Sequence, residues 1–293
     1  MRLSPQVIGT LYVIGAYTLW GFSPIFWRTL EFLAPLEIVA HRIIWSIPII
    51  LVLLYSRHGF QQLRQLNIKD FLIFALTSIL VSSNWLIFIW AVANNRLVEA
   101  SLGYFIYPLL AVFVGLIFFK EKLTSLQYLA LLIAACGVAI LIFANPHLPW
   151  IALSLAVTFT AYVALRKHVS VDSLTGLSVE ILLLFPFAVL LQIYFELSAS
   201  NNFQYFQVDR DFLILLTILF TVIPLLWMVI GVKATSISSS GILFYINPSL
   251  QFLVAIAVFN EPVQAFILTS FVFIWLATIV YFLPKNFLSN YFR

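Results

Sequence analysis

The sequence predicts an all-α membrane protein in which ten transmembrane helices form two inverted five-helix repeats. Three observations predict it. Of the 293 residues, 63% are hydrophobic and 9% charged, against about 45–50% apolar and about 25% charged in an ordinary soluble domain. The apolar residues fall into ten continuous runs, each close to the ~20 residues that a helix needs to cross a bilayer. One motif returns after 140 residues. Fifteen basic and 11 acidic side chains, 26 formal charges together, cannot clothe a soluble surface of this size. A soluble enzyme, a DNA-binding protein and a disordered scaffold are therefore excluded. Ten spans at ~20 residues take ~200 residues and leave no room for an extramembrane domain.

The runs follow in order. The first, 5–27, carries Trp20; no small-residue cleavage site ends it, so a retained helix is expected rather than a cleaved signal. The second, 35–56, holds Glu37, His41, Arg42 and Pro48, and the third, 70–92, holds Asn84 and Trp85. The fourth, 98–118, contains Tyr104, Tyr107 and Pro108. The fifth, 125–143, contains Cys136, the single cysteine, which rules out an internal disulfide. The sixth, 149–165, begins at Trp150, an interfacial anchor. Glu180 and Pro186 lie in the seventh, 174–195, and Pro224 in the eighth, 211–232. The ninth, 237–259, carries Phe244, Tyr245, Asn247 and Pro248, and 263–283 completes the set. Continuous runs favour helices over outer-membrane strands, which alternate and are about 10 residues long.

Loop charges set the orientation. With the N-terminus inside, eleven Lys and Arg fall in cytoplasmic loops and tails, and Arg28, Arg96 and Arg210 fall outside. This bias places both termini in the cytoplasm of a multi-pass protein of the bacterial cytoplasmic (inner) membrane. The pI of 9.2 reflects cations spread one to three per loop, not a nucleic-acid patch.

Tyr104-Phe105-Ile106-Tyr107-Pro108 and Phe244-Tyr245-Ile246-Asn247-Pro248 lie 140 apart, and at that offset Ser101 meets Gly241 and Glu121 meets Glu261. Pro48 and Pro186 are 138 apart, which sets Arg42 opposite Glu180. Repeats of an odd number of helices insert with opposite orientation, so repeats at 1–145 and 146–293 are inverted, a transporter signature.

The residues also resemble a known family. Leu19-Trp20-Gly21-Phe22-Ser23-Pro24, Glu37-Ile38-Val39-Ala40-His41-Arg42, Asn84-Trp85, Glu99-Ala100-Ser101-Leu102-Gly103-Tyr104-Phe105-Ile106, Asn247-Pro248 and Glu261-Pro262 cover nearly the whole chain. They resemble the EamA-domain branch of the drug/metabolite transporter superfamily, and the RarD-type proteins within it. One departure is Tyr107, which stands where the family has Asn before the fourth-helix proline. The resemblance implies ten helices and transport of small metabolites or drugs.

Several residues are candidates for chemistry. Arg42 lies ~10 Å below the outer surface at 1.5 Å per residue, a position that costs ~2.5–3.5 kcal/mol on insertion scales. It either pairs with Glu37 or Glu99, snorkels outward, or contacts an anion or substrate in a central cavity. His41 is either a pH-sensitive group or a packed histidine. Depth places Glu180 ~11 Å from Arg42 along the membrane normal, so the two are not expected to pair. Glu180 is expected to meet Lys233 or to relay protons as the coupling ion. Pro108 and Pro248 sit ~15 and ~17 Å deep, near the midplane of a ~30 Å core. The fourth and ninth spans should therefore line the path, with Trp20, Asn84, Trp85, Tyr104, Tyr107, Phe244, Tyr245 and Asn247 as substrate-binding residues; their aromatic faces would suit an aromatic or cationic solute.

No Walker A, dinucleotide loop or metal-ligand spacing occurs, so neither cofactor nor metal is expected and transport would be secondary. The expected partners are a small-molecule substrate and the lipid bilayer, with the chain a monomer or homodimer. The alternative is an intramembrane enzyme acting on a lipid or isoprenoid, which would have to draw on Glu37, His41, Arg42, Glu99 and Glu180.

Overall fold

A computed structural model describes residues 4–56, 59–94, 96–144, 150–198, 208–259 and 265–283. Twelve helices occur among them: α1 (Pro5–Arg28), α2 (Pro35–Ser56), α3 (Gly59–Arg64), α4 (Ile68–Ala93), α5 (Leu97–Phe118), α6 (Ser125–Phe143), α7 (Trp150–His168), α8 (Ser173–Leu197), α9 (Val208–Ala234), α10 (Ile237–Leu243), α11 (Ile246–Ala257) and α12 (Ala265–Tyr281). The described residues contain no strand. Four stretches, Pro35–Ser56, Ile68–Ala91, Ser173–Leu197 and Phe212–Ala234, are long and apolar enough to cross a membrane. Gly103–Phe118, Ser125–Ile140 and Ala265–Tyr281 are shorter apolar helices.

Local chemistry fixes where helices start. Ser4 accepts from the Val7 amide ahead of Pro5, a residue suited to the first helical turn because its missing N–H would have no partner there. Thr124 and Gln127 form a reciprocal capping box at α6. Asp172 accepts from the Leu174 and Thr175 amides at α8, and Ser236 from Ser239 at α10.

The apolar run 237–259 is not one helix: α10 ends at Leu243 and α11 begins at Ile246. Pro248 cannot donate to the Phe244 carbonyl, which accepts instead from the Asn247 amide at 2.9 Å. Pro108, its counterpart 140 residues earlier, sits inside a continuous α5.

Small residues bring the helices together. A Cβ on Gly9 would stand 2.6 Å from Ala234 Cβ and 3.2 Å from the Gly231 carbonyl, so α1 and α9 touch nearly backbone to backbone. Elsewhere α1 packs on α11, α2 on α8 and α9, α4 on α7 and α8, α5 on α7 and α10, and α6 on α12. Large apolar side chains also cover the outside, among them Leu72, Phe118, Leu132, Phe187 and Leu190. Such a surface suits acyl chains, not water.

Candidate functional site

Four helices of the first half, and α7, the α10–α11 break and α11 of the second, line a cavity of about 50 Å³ that opens to solvent. Trp20, Ser23 and Trp27 come from α1, Arg42 from α2, and Asn84, Trp85 and Phe88 from α4. Tyr104 comes from α5, Phe159 from α7, Phe244 from the α10–α11 break, and Asn247 and Gln251 from α11. Trp27 is near the C-terminal end of α1 and Arg42 near the N-terminal end of α2, so the cavity lies toward the α1–α2 connection.

On the other side an aromatic floor closes it. Phe244 stands 4.8 Å from Tyr17, 4.6 Å from Tyr107 and 5.4 Å from Phe159, ring centre to ring centre. The Tyr17 hydroxyl is 3.0 Å from that of Ser240 and ties α1 to α10. Tyr107 therefore belongs to the floor and not to the cavity wall. Tyr245 points away: its hydroxyl donates to the Phe105 carbonyl at 3.3 Å within a second core formed with α5, α6 and α12.

Arg42 is 4% exposed and pairs with no carboxylate among the described residues. Its Nε donates to Thr221 Oγ1 on α9 at 2.9 Å. Its guanidinium carbon lies 4.7 Å from the Trp27 ring centre and 4.3 Å from that of Trp85. Two indole faces thus hold the charge by cation–π attraction. The expected pairing with Glu37 does not form: Glu37 turns to the Ala34 amide at 3.4 Å, where a carboxylate satisfies the exposed start of α2. The Glu99 side chain lies outside the described residues. His41 is buried beside Arg42 in the sequence but is not on the cavity wall. Asn84 holds α4 to α7 by donating to the Leu155 carbonyl and Thr158 Oγ1, both at 2.9 Å. The amide oxygens of Asn247 and Gln251 are buried without a partner among the described residues.

A second polar cluster lies nearer the opposite ends of the helices. Glu180 Oε1 is 3.5 Å from Arg166 Nη1, with both side chains at most 3% exposed. Thr77 donates to Glu180 Oε1 at 2.5 Å and the Tyr162 hydroxyl to Oε2 at 3.3 Å. Arg166 also donates to the Ser173 carbonyl at 2.9 Å. The expected Glu180–Lys233 contact is replaced: Lys233 donates to the Val171 carbonyl, while Lys167 reaches the Val232 and Thr235 carbonyls. Cations expected in aqueous loops have turned inward to bind carbonyls at helix ends. As depth argued, Arg42 and Glu180 stay apart, each with its own partners.

Of the substrate-binding residues expected from sequence, the cavity thus gathers Trp20, Asn84, Trp85, Tyr104, Phe244 and Asn247, together with Arg42. Sequence reasoning missed Ser23, Trp27, Phe88, Phe159 and Gln251 on the wall, and Thr221 behind Arg42. Thr217 and Thr221, four apart in the apolar α9, are the one such signal it held, since a hydroxyl pair on one face of a span marks a polar seam.

Comparison with known proteins follows the same lines. The EamA-like transporter family matches residues 7–143. Protein RarD of Salmonella typhi is 35% identical over 275 residues, 93% of this chain and 94% of that protein. The uncharacterized transporter YojE of Bacillus subtilis is 37% identical over 281 residues, 93% of each. A solved crystal structure superposes with a TM-score of 0.71 over 94% of this chain and 96% of its own, at 16% identity, which establishes shared fold. The resemblance in sequence, the apolar helices and this agreement converge: the chain is a multi-pass membrane protein of the EamA-like transporter family, of the RarD type within the drug/metabolite transporter superfamily.

Proposed function

We propose that the protein is a secondary transporter that moves a small organic molecule across the bacterial cytoplasmic membrane by alternating access, and is not an enzyme. The observation that carries this reading is the cavity itself, built from α1, α2, α4 and α5 on one side and α7, the α10–α11 break and α11 on the other. In the proposed arrangement ten helices span the membrane, residues 1–145 and 146–293 are inverted repeats, and both termini are cytoplasmic. Helix pairing supports it. Exchange α1 with α7, α2 with α8, α4 with α9, α5 with α10–α11 and α6 with α12. The α1–α9 pair then becomes α7–α4, α1–α11 becomes α7–α5, α2–α9 becomes α8–α4, and α2–α8, α5–α10 and α6–α12 map onto themselves; each of these pairs is in contact. Such exchange symmetry lets one half rock against the other about a fixed site.

The Tyr17–Ser240 contact and the rings of Tyr107, Phe159 and Phe244 would form the closed gate, and the α10–α11 break the point where it moves. The Glu180–Arg166 pair favours a structural latch over a proton relay, because the carboxylate is already satisfied by three side chains. Counterflow in proteoliposomes tests the reading. A compound that stabilises the purified protein should exchange across the membrane without any ion gradient, and binding without exchange would overturn it.

A further inference from the structure

We propose that the cavity accepts a small organic monoanion, a planar apolar body bearing a carboxylate at one end and a hydrogen-bond donor elsewhere. The proposal deepens the transport reading and rests on it for the claim that what binds is also carried.

The polar groups of the wall define the ligand's chemistry. Arg42 is the single cation among the lining residues, and no lining residue is a carboxylate. The guanidinium carbon lies over the Trp27 and Trp85 rings, at 4.7 and 4.3 Å from their centres. Thr221 takes the Nε hydrogen, and the remaining N–H groups have no partner among the described residues. Two coplanar oxygens are what such an edge binds best, because the fork of N–H groups matches both oxygens of a carboxylate. A charge held by two ring faces and one neutral hydroxyl in a low-dielectric wall attracts an anion and repels a cation. Of the aromatic or cationic solute expected from the sequence, this proposal keeps the aromatic body and replaces the cation with an anion.

The rest of the wall supplies the other two requirements. Trp20, Phe88, Tyr104, Phe159 and Phe244 line the rest of it with aromatic rings, an apolar surface for a flat body. Asn247 and Gln251 lie four residues apart, on one face of α11, and each buries an amide oxygen without a partner among the described residues. Buried acceptors of this kind are costly unless something donates to them, and a hydroxyl or amino group on the ligand would do so. Among the described residues the wall thus presents a cation with no carboxylate partner and two acceptors with no donor, and one ligand satisfies all three.

The test uses four probes of nearly equal shape: 4-hydroxyphenylacetate, its primary amide, tyramine and phenylacetate. Binding to the purified protein is measured calorimetrically, and uptake is measured with the same labelled compounds in proteoliposomes. 4-Hydroxyphenylacetate should bind at least about tenfold more tightly than the amide or tyramine, as expected for loss of a charge-assisted bond. Phenylacetate, lacking the donor, should bind about five- to tenfold more weakly than its hydroxylated form. Arg42→Gln should erase the preference for the carboxylate over the amide. Because the charge preference is read in the unmutated protein, it stands even if that variant folds poorly. Tighter or equal binding of the amide or tyramine, or no binding by any probe, would overturn the anion assignment. Uptake of tyramine or the amide without uptake of the carboxylate would overturn it too, while sparing transport. Carboxylate binding without uptake would sustain the anion site and sink the transport reading instead.

Discussion

Replacing Glu180 with Gln should strip most of the stability that α4, α7 and α8 lend one another. Oppositely charged groups 3.5 Å apart attract by about 5 kcal/mol at an effective dielectric near 20. Much of that is offset in the native protein by the cost of taking both ions out of water. The variant feels the cost without the offset, because Arg166 remains buried, keeps a single backbone acceptor at Ser173, and already has an unpartnered Nε. Breaking one side of such a pair costs about 3–5 kcal/mol, and the Thr77 and Tyr162 hydroxyls lose a charged acceptor as well. Equilibrium unfolding in mixed detergent micelles reads the loss directly. The double variant Glu180→Gln/Arg166→Met removes both charges and should recover a large part of it, leaving a coupling energy of at least about 2 kcal/mol in the cycle. Strict additivity of the two single changes would refute the latch.

Three further outcomes follow from the packing. Glu121 accepts from the Ile237 and Ser238 amides at 2.7 and 3.0 Å and so ties the end of α5 to the start of α10; Glu121→Ala should cost about 1–2 kcal/mol and speed hydrogen exchange at those two amides. A Cβ on Gly103 would stand 2.6 Å from the Ala152 carbonyl, so Gly103→Ala should force α5 off α7 and destabilise by about 1–3 kcal/mol; an unchanged unfolding midpoint would count against the close approach. In a Cys136→Ser background, cysteines at the exposed Glu31 and Arg64 positions, at opposite ends of α2, should react with an impermeant maleimide from opposite faces of the membrane.

Much of the helical scaffold was legible because it depends on nearby residues. Ser4 before Pro5, the Thr124–Gln127 box and Asp172 before Ser173 each act within four positions. The apolar runs between them reflect a solvent that demands continuous apolar segments. The proline at 248 marked a weak point in the ninth run, but that the helix breaks there and holds at Pro108 depends on tertiary packing around Phe244. The site was legible only in part. Arg42 announced itself by cost, yet its partner Thr221 lies 179 residues away, a distance over which sequence carries no register. Arg166 looked like a loop cation because its neighbours Lys167 and His168 are polar; only the fold brings Glu180 beside it. Tyr107 and Tyr245 shared the repeat motif with true wall residues, but helix rotation turns one into the floor and the other into the second core.

The most direct measurement asks whether one cavity serves both faces of the membrane. Ser23 lines the cavity and is nearly inaccessible except through it. Ser23→Cys, in the Cys136→Ser background, is to be treated with a membrane-impermeant thiol reagent in right-side-out and in inside-out vesicles. Alternating access requires modification from both faces, each slowed when the transported compound is present at saturation. Modification from one face alone, unchanged by any bound compound, would contradict it.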